Sequence, residues 1–192
     1  MPVIADVRQH KTGRAVHLDK TQLSVARGMA SALVVAVLVF LAVSQVTFIN
    51  SEALDLWFRL KIASLSSLVP TLTLFICVAR LAKHRFFNPE DIQGSAQSSG
   101  TRKAEVLQSL LQNTLEQASL ALPVYAAVSL LGSSRWLTLV PAAAAMFLVG
   151  RTLFFVGYAK GAPSRAFGFA LTFYPTALLL LIAVAMGLSS VV

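Results

Sequence analysis

Residues 167–188 read FGFALTFYPTALLLLIAVAMGL, an apolar run without one charged side chain. A helix rises 1.5 Å per residue, so a run of this length crosses a hydrocarbon core of about 30 Å. The apolar residues are continuous rather than alternating with polar ones, which argues against a barrel strand with its period of two. In lipid a helix satisfies its own backbone groups. The run therefore reads as a transmembrane α-helix.

Four further runs stand before it. The first spans Gly28 to Ile49, behind a polar lead that carries Arg8, Lys11, Arg14, Lys20 and Arg27. A short stretch with Glu52, Asp55, Arg59 and Lys61 leads to a second run from about Leu65 to Val78, continuing to Arg80 or His84. A loop rich in Asn, Ser, Gly and Gln separates this from a third run, Glu105 to Leu131. Gly132, Ser133 and Ser134 predict a tight turn before the fourth run, Trp136 to Tyr158, and Gly161-Ala162-Pro163 a turn before the fifth. Pro70, Pro123, Pro141 and Pro175 fall inside runs two to five, where a membrane bundle tolerates proline as a kink.

The expected fold is all-α: an integral membrane helical bundle of five spans. Composition agrees, with 56% hydrophobic and 12% charged residues in 192 and a mean hydropathy of +0.73, more apolar surface than a soluble core of this size could hide. Its units are a basic arm over 1–27, an N-terminal span over 28–49 and a four-helix domain over 50–192. The first run also admits a reading as a cleavable secretory signal, since Ala42 and Ser44 form a small-residue pair, but its lead is long for one.

Orientation follows from the basic residues. With the N-terminus inside, five lie in the arm, five between Arg80 and Lys103, and Arg151, Lys160 and Arg165 near the fourth turn, against Arg59, Lys61 and Arg135 outside. This asymmetry predicts a cytoplasmic N-terminus. The net charge of +8 then calls for no nucleic acid, because anionic headgroups beside the inner leaflet are its partner. Cys77 is the single cysteine, so no internal disulfide forms, and its apolar setting predicts a packed side chain rather than a reactive thiol. His10, His17 and His84 show no ligand spacing, and no metal site is expected. No phosphate-binding loop, dinucleotide fingerprint or internal repeat is present.

The third run carries the chemistry. Glu105, Gln108, Ser109, Gln112, Asn113, Glu116, Gln117 and Ser119 cover about half of a helix circumference, with Leu107, Leu110, Leu111, Leu115, Ala118 and Leu122 on the other half. The helix must turn this stripe away from lipid, because a carboxylate near the bilayer centre costs at least ~2.5 kcal/mol and Glu116 requires a partner or a wet cavity. The stripe is alternatively a set of interhelical hydrogen bonds that holds the bundle together. In the fourth run Arg151 and Tyr158 share a face with Phe155 between them, and Lys160 and Arg165 follow. Arg151 is a candidate counter-ion for Glu116, or else an arginine that snorkels to the headgroups, and Arg80 has the same two readings.

From the second run onward the chain resembles the membrane-associated proteins in eicosanoid and glutathione metabolism, the MAPEG family, as a bacterial-type member of the inner membrane with an extra N-terminal helix. The resemblance rests on Asn113-x-x-Glu116, on Arg151-x-x-Phe-Phe-x-Gly157-Tyr158-Ala159-Lys160 with Arg165 beyond, and on Arg80 closing the second run. It implies a homotrimer with glutathione as co-substrate held between adjacent subunits, and a hydrophobic small molecule as the second reactant. On that resemblance Arg80, Asn113, Glu116, Arg151 and Tyr158 bind the tripeptide, and Arg165 stabilises the thiolate. The implied activity is that of a glutathione-dependent transferase or peroxidase acting on lipophilic electrophiles. Three positions depart from the catalytic pattern: Ser109 where arginine is usual, Phe154 where tyrosine is frequent, and Gln117 in place of an aromatic. A family member that binds lipid or scaffolds partners without catalysis fits those departures, and a small transporter that uses Glu116 as a proton or cation site is a third reading.

Overall fold

The computed structural model describes residues 19–45, 55–94 and 100–189. The arm before residue 19 and the loop around Ser98 lie outside them. Among the described residues there are α-helices and short turns and no strand, and five helices are long and apolar enough to cross a membrane. The expected all-α bundle of five spans is what folds.

The helices are α1 (Lys20–Gln45), α2 (Leu56–Phe87), α3 (Arg102–Leu131), a four-residue α4 (Ser134–Leu137), α5 (Leu139–Tyr158) and α6 (Ala162–Ser189). Three of them begin well before their apolar runs, α1 at Lys20, α2 at Leu56 and α6 at Ala162, the last two for local reasons. Asp55 accepts a hydrogen bond from the backbone N–H of Phe58 at 2.8 Å and so starts α2 a full two turns before the second apolar run begins. The expected linker residues Arg59 and Lys61 are therefore helical. Arg59 then reaches across to the end of α3, where its Nη1 donates to the carbonyl oxygens of Ser129, Leu130 and Gly132 at 3.0, 3.3 and 2.6 Å. A cation is favoured there by the unpaired carbonyls of a helix C-terminus. Similarly, Gly161 at φ +98° turns the chain, and Pro163 sits inside the first turn of α6, where it gives up no hydrogen bond. The fourth run is interrupted once, at Thr138 between α4 and α5.

The core joins four of the long helices. Tyr125 and Val128 of α3, Phe147 and Val140 of α5, and Leu179 of α6 are fully buried, with Ala32 and Ala36 of α1 against them. Helices α5 and α6 meet almost backbone to backbone. A Cβ added at Gly150 would strike Thr172 and the carbonyl of Gly168, one at Gly168 would strike the backbone of Phe154, and one at Gly157 the carbonyl of Ser164. Small residues let membrane helices approach this closely and gain their attraction from packing. Helix α1 runs alongside α6, with Gly28 against Ala166. One end of the bundle thus gathers the α2–α3 and α5–α6 connections and most of the basic side chains. That end carries the candidate site.

Candidate functional site

Helix α3 begins at a polar latch. The Asp91 carboxylate is buried and accepts from the backbone N–H and the hydroxyl of Thr101, both at 2.7 Å, and from His84 Nε2 at 2.9 Å. With Nε2 as the donor, Nδ1 of a neutral His84 accepts from Asn88 Nδ2 at 3.0 Å. The Thr101 hydroxyl in turn accepts from Ala104 N–H and caps α3. The backbone and then the hydroxyl hydrogen bond of Thr101 hold the Asp91 carboxyl below the usual carboxylate range, against the opposing effect of burial, with His84 adding to the lowering. His84 thus has a carboxylate partner that its position in the sequence did not reveal.

Seven residues beyond that start, the polar face of α3 begins to separate into two parts. Within the chain it is the leucine half that turns inward in part, with Leu107, Leu110 and Ala118 buried and Leu115 exposed, so the expected turning of the whole polar stripe into the bundle does not occur. Asn113 is half-buried and Gln117 buried, whereas Ser109, Gln112, Glu116 and Ser119 are exposed on the surface of the chain. The Glu116 carboxylate accepts from Gln112 Nε2 at 3.0 Å, one helical turn back. The pairing of Arg151 with Glu116 that the sequence suggested is not formed.

Arg151 points instead into the bundle and is fully buried. Its Nη1 donates to Asn113 Oδ1 at 2.8 Å and its Nε to Thr172 Oγ1 at 3.1 Å, while the guanidinium lies 4.4 Å from the ring centroid of Phe154. Thr172 hands its own proton to the carbonyl of Gly168 at 2.9 Å. Since a guanidinium only donates, the Asn113 amide must present its oxygen to Arg151. Its Nδ2 is left as a donor directed elsewhere. Thr172 was missed in the sequence because a threonine in an apolar run signals nothing by itself.

Asn113 also belongs to the wall of a cavity of about 390 Å³ at the basic end. From α3 the cavity takes Ser109 and Asn113; from α5, Phe154 and Tyr158; from α6, Arg165, Phe169 and the small Ala162 and Ala166. Helix α1 adds Val25 and Met29. Arg165 lies with its guanidinium 4.4 Å from the Tyr158 ring centroid, a cation–π contact, and makes no ion pair among the described residues. The Tyr158 ring meets Phe154 edge-on at 5.4 Å. An electropositive, half-buried arginine, an aromatic floor and an amide donor can hold an anionic or thiolate group beside an apolar surface.

Three of the six candidate residues, Asn113, Tyr158 and Arg165, therefore line one cavity, and Arg151 fixes Asn113 from behind. The other two do not reach it within the chain. Glu116 lies on the exposed face of α3, and Arg80 is exposed on α2, bordering a separate depression with Lys83 and Lys103. Cys77 is buried, with its thiol 3.6 Å from the Thr114 hydroxyl, as its apolar setting predicts. Among the described residues no group of three or more His, Cys, Asp or Glu side chains comes together to hold a metal.

Five apolar spans with a half-polar cavity among the helices at one end define an integral membrane protein. The MAPEG family model matches residues 61–185, and the chain belongs to that family, with α1 as an additional helix ahead of the shared domain. No curated protein and no solved structure matches it.

Proposed function

We propose that this protein is a glutathione-dependent transferase or peroxidase acting on lipophilic electrophiles. It works as a homotrimer in a bacterial inner membrane, with the basic end in the cytoplasm. The observation that carries the reading is the single cavity lined by Asn113, Tyr158 and Arg165. In this reading the tripeptide lies across that cavity, with the Asn113 amide donating to it and its sulfur near Arg165. A free thiol has a pKa of about 8.5, and a neighbouring guanidinium favours the thiolate. The thiolate attacks the electrophilic carbon, a carbon–sulfur bond forms and the leaving group departs. Glu116 and Arg80, which point away from the cavity of their own chain, serve the cavity of a neighbouring subunit.

Membership of the family supports glutathione as the co-substrate, and the accumulation of basic residues at the site end supports a cytoplasmic location by the positive-inside rule. The rival reading, lipid binding without turnover, is favoured by Ser109, a neutral residue in the cavity wall where a second arginine would clamp a carboxylate.

The test is thermal and kinetic. Glutathione should raise the Tm of the purified protein in detergent, as selective binding to the folded state must. Arg165→Ala should keep that rise yet slow conjugation of an aryl halide roughly tenfold or more, the loss of one charge-assisted contact of ~1.5 to 3 kcal/mol. A wild type with neither a shift nor turnover would leave the lipid-binding reading in its place.

A further inference from the structure

Helix α1 lies wholly before the segment that matches the family, yet two of its side chains border the candidate cavity. It is held there by a seam of small residues. A Cβ on Gly28 would stand 3.4 Å from Ala166 Cβ and from the backbone nitrogen of Phe167, and Ala32 and Ala36 are completely buried further along. Most other faces of the helix are open, with Leu33, Val34, Leu38 and Leu41 exposed. Met29 departs from that pattern. It packs against the core on one side and borders the cavity on the other, and Val25, one turn before it, is half-buried at the same cavity.

The cavity wall has two chemistries. Asn113, Ser109, Tyr158 and Arg165 bring donors and a cation, whereas Val25, Met29, Phe154 and Phe169 bring apolar surface. Half of those four apolar side chains come from α1. We propose that α1 determines what the site accepts: Met29, with Val25 beside it, is the specificity wall for the apolar chain of a lipophilic second substrate that lies beside the anionic group held at Arg165 and Asn113. The proposal rests on the reading of this cavity as the site. Methionine suits the role, since an unbranched thioether adapts its shape to the tail it meets. A residue that borders the ligand and not the thiolate changes selection among second substrates and leaves glutathione affinity alone.

Two measurements on the full chain in nanodiscs test this. In the first, Met29→Trp and Met29→Ala are compared with the wild type on glutathione and a series of alkyl iodides of increasing length. Met29→Trp should raise KM for the longest relative to the shortest by about tenfold, Met29→Ala should lower that ratio, and KM for glutathione should not move. Turnover with the same length profile in all three proteins overturns the role of α1 and leaves the enzyme reading standing. In the second, Met29→Cys and Ala30→Cys are each placed in a Cys77→Ser chain and treated with a charged maleimide. Ala30 is exposed on α1 at nearly the same depth, outside the cavity wall. Cys at 29 should be labelled and protected severalfold by decanoate, and Cys at 30 should gain no protection. Equal behaviour of the two positions overturns the proposal, whereas protection at 29 in a protein without glutathione turnover keeps the wall and removes the enzyme reading.

Discussion

Arg151 shows how one residue can serve a site without entering it. A fully buried guanidinium costs several kcal/mol in lost hydration unless its donors are met, and Asn113 and Thr172 meet two of them. The consequence passes to Asn113, a residue of the cavity wall whose amide oxygen is taken by Arg151 and whose Nδ2 is therefore the group that can donate to a ligand. Asn113→Asp should therefore keep the fold, because a carboxylate pairs with Arg151 even better, but should abolish the Tm rise that glutathione produces, because the donor has become an acceptor. A retained rise would show that the amide does not touch the ligand. Asp91 makes a second residue-scale case, with a pH signature. Its carboxyl pKa is lowered in the folded protein, so its stabilisation is complete above the unfolded value of about 3.9 and is lost as pH falls through the folded value. Cleavage by pepsin between residues 92 and 100 should accelerate as the pH falls below about 3.9, and Asp91→Asn should be cleaved quickly already above that value.

Among the elements, α5 and α6 depend on each other most closely. Gly150 and Gly168 face one another with no room for a Cβ, and the Arg151–Thr172 bond lies beside them. Gly150→Val should push the helices apart, break that bond and lower the Tm by several degrees, roughly the effect of overpacking by 1–3 kcal/mol. Gly187→Ala, whose added Cβ meets nothing within 4 Å among the described residues, is the control and should leave the Tm in place. The same elements show where sequence reading stops. Apolar periodicity located every span, but α2 starts at Leu56 rather than about Leu65, because Asp55 caps it and Arg59 finds carbonyl partners seventy residues away. Hydropathy sees neither a cap nor a distant carbonyl. The glycines Gly150 and Gly168 were equally silent, since a close approach belongs to two helices at once.

For the whole molecule, the exposed polar face of α3 has the largest consequence. Gln112, Glu116 and Ser119 lie on the surface of one chain within a segment apolar enough to span a membrane. A charge facing lipid there costs at least ~2.5 kcal/mol, which a second copy covering the face would remove. Glu116→Ala should therefore shift the oligomer in mild detergent toward monomer if the carboxylate ties subunits together, and should abolish glutathione binding if it serves a neighbour's cavity. Analytical ultracentrifugation together with the Tm shift separates the two roles, and a variant unchanged in both would have neither.

The sequence by itself determined the all-α membrane bundle, the five spans and the family, because span length, hydropathy and a short motif are properties of consecutive residues. It also made Asn113, Tyr158 and Arg165 candidates, through the family resemblance of the segments that carry them. Only the tertiary structure decided that these three share a cavity, that Arg151 turns to Asn113 and Thr172 instead of Glu116, that His84 meets Asp91, and that the N-terminal helix reaches the site through Val25 and Met29. Each of these depends on the rotation of one helix against another. That rotation is set by where small residues let backbones touch and where buried donors find acceptors, and both are relations between segments distant along the chain.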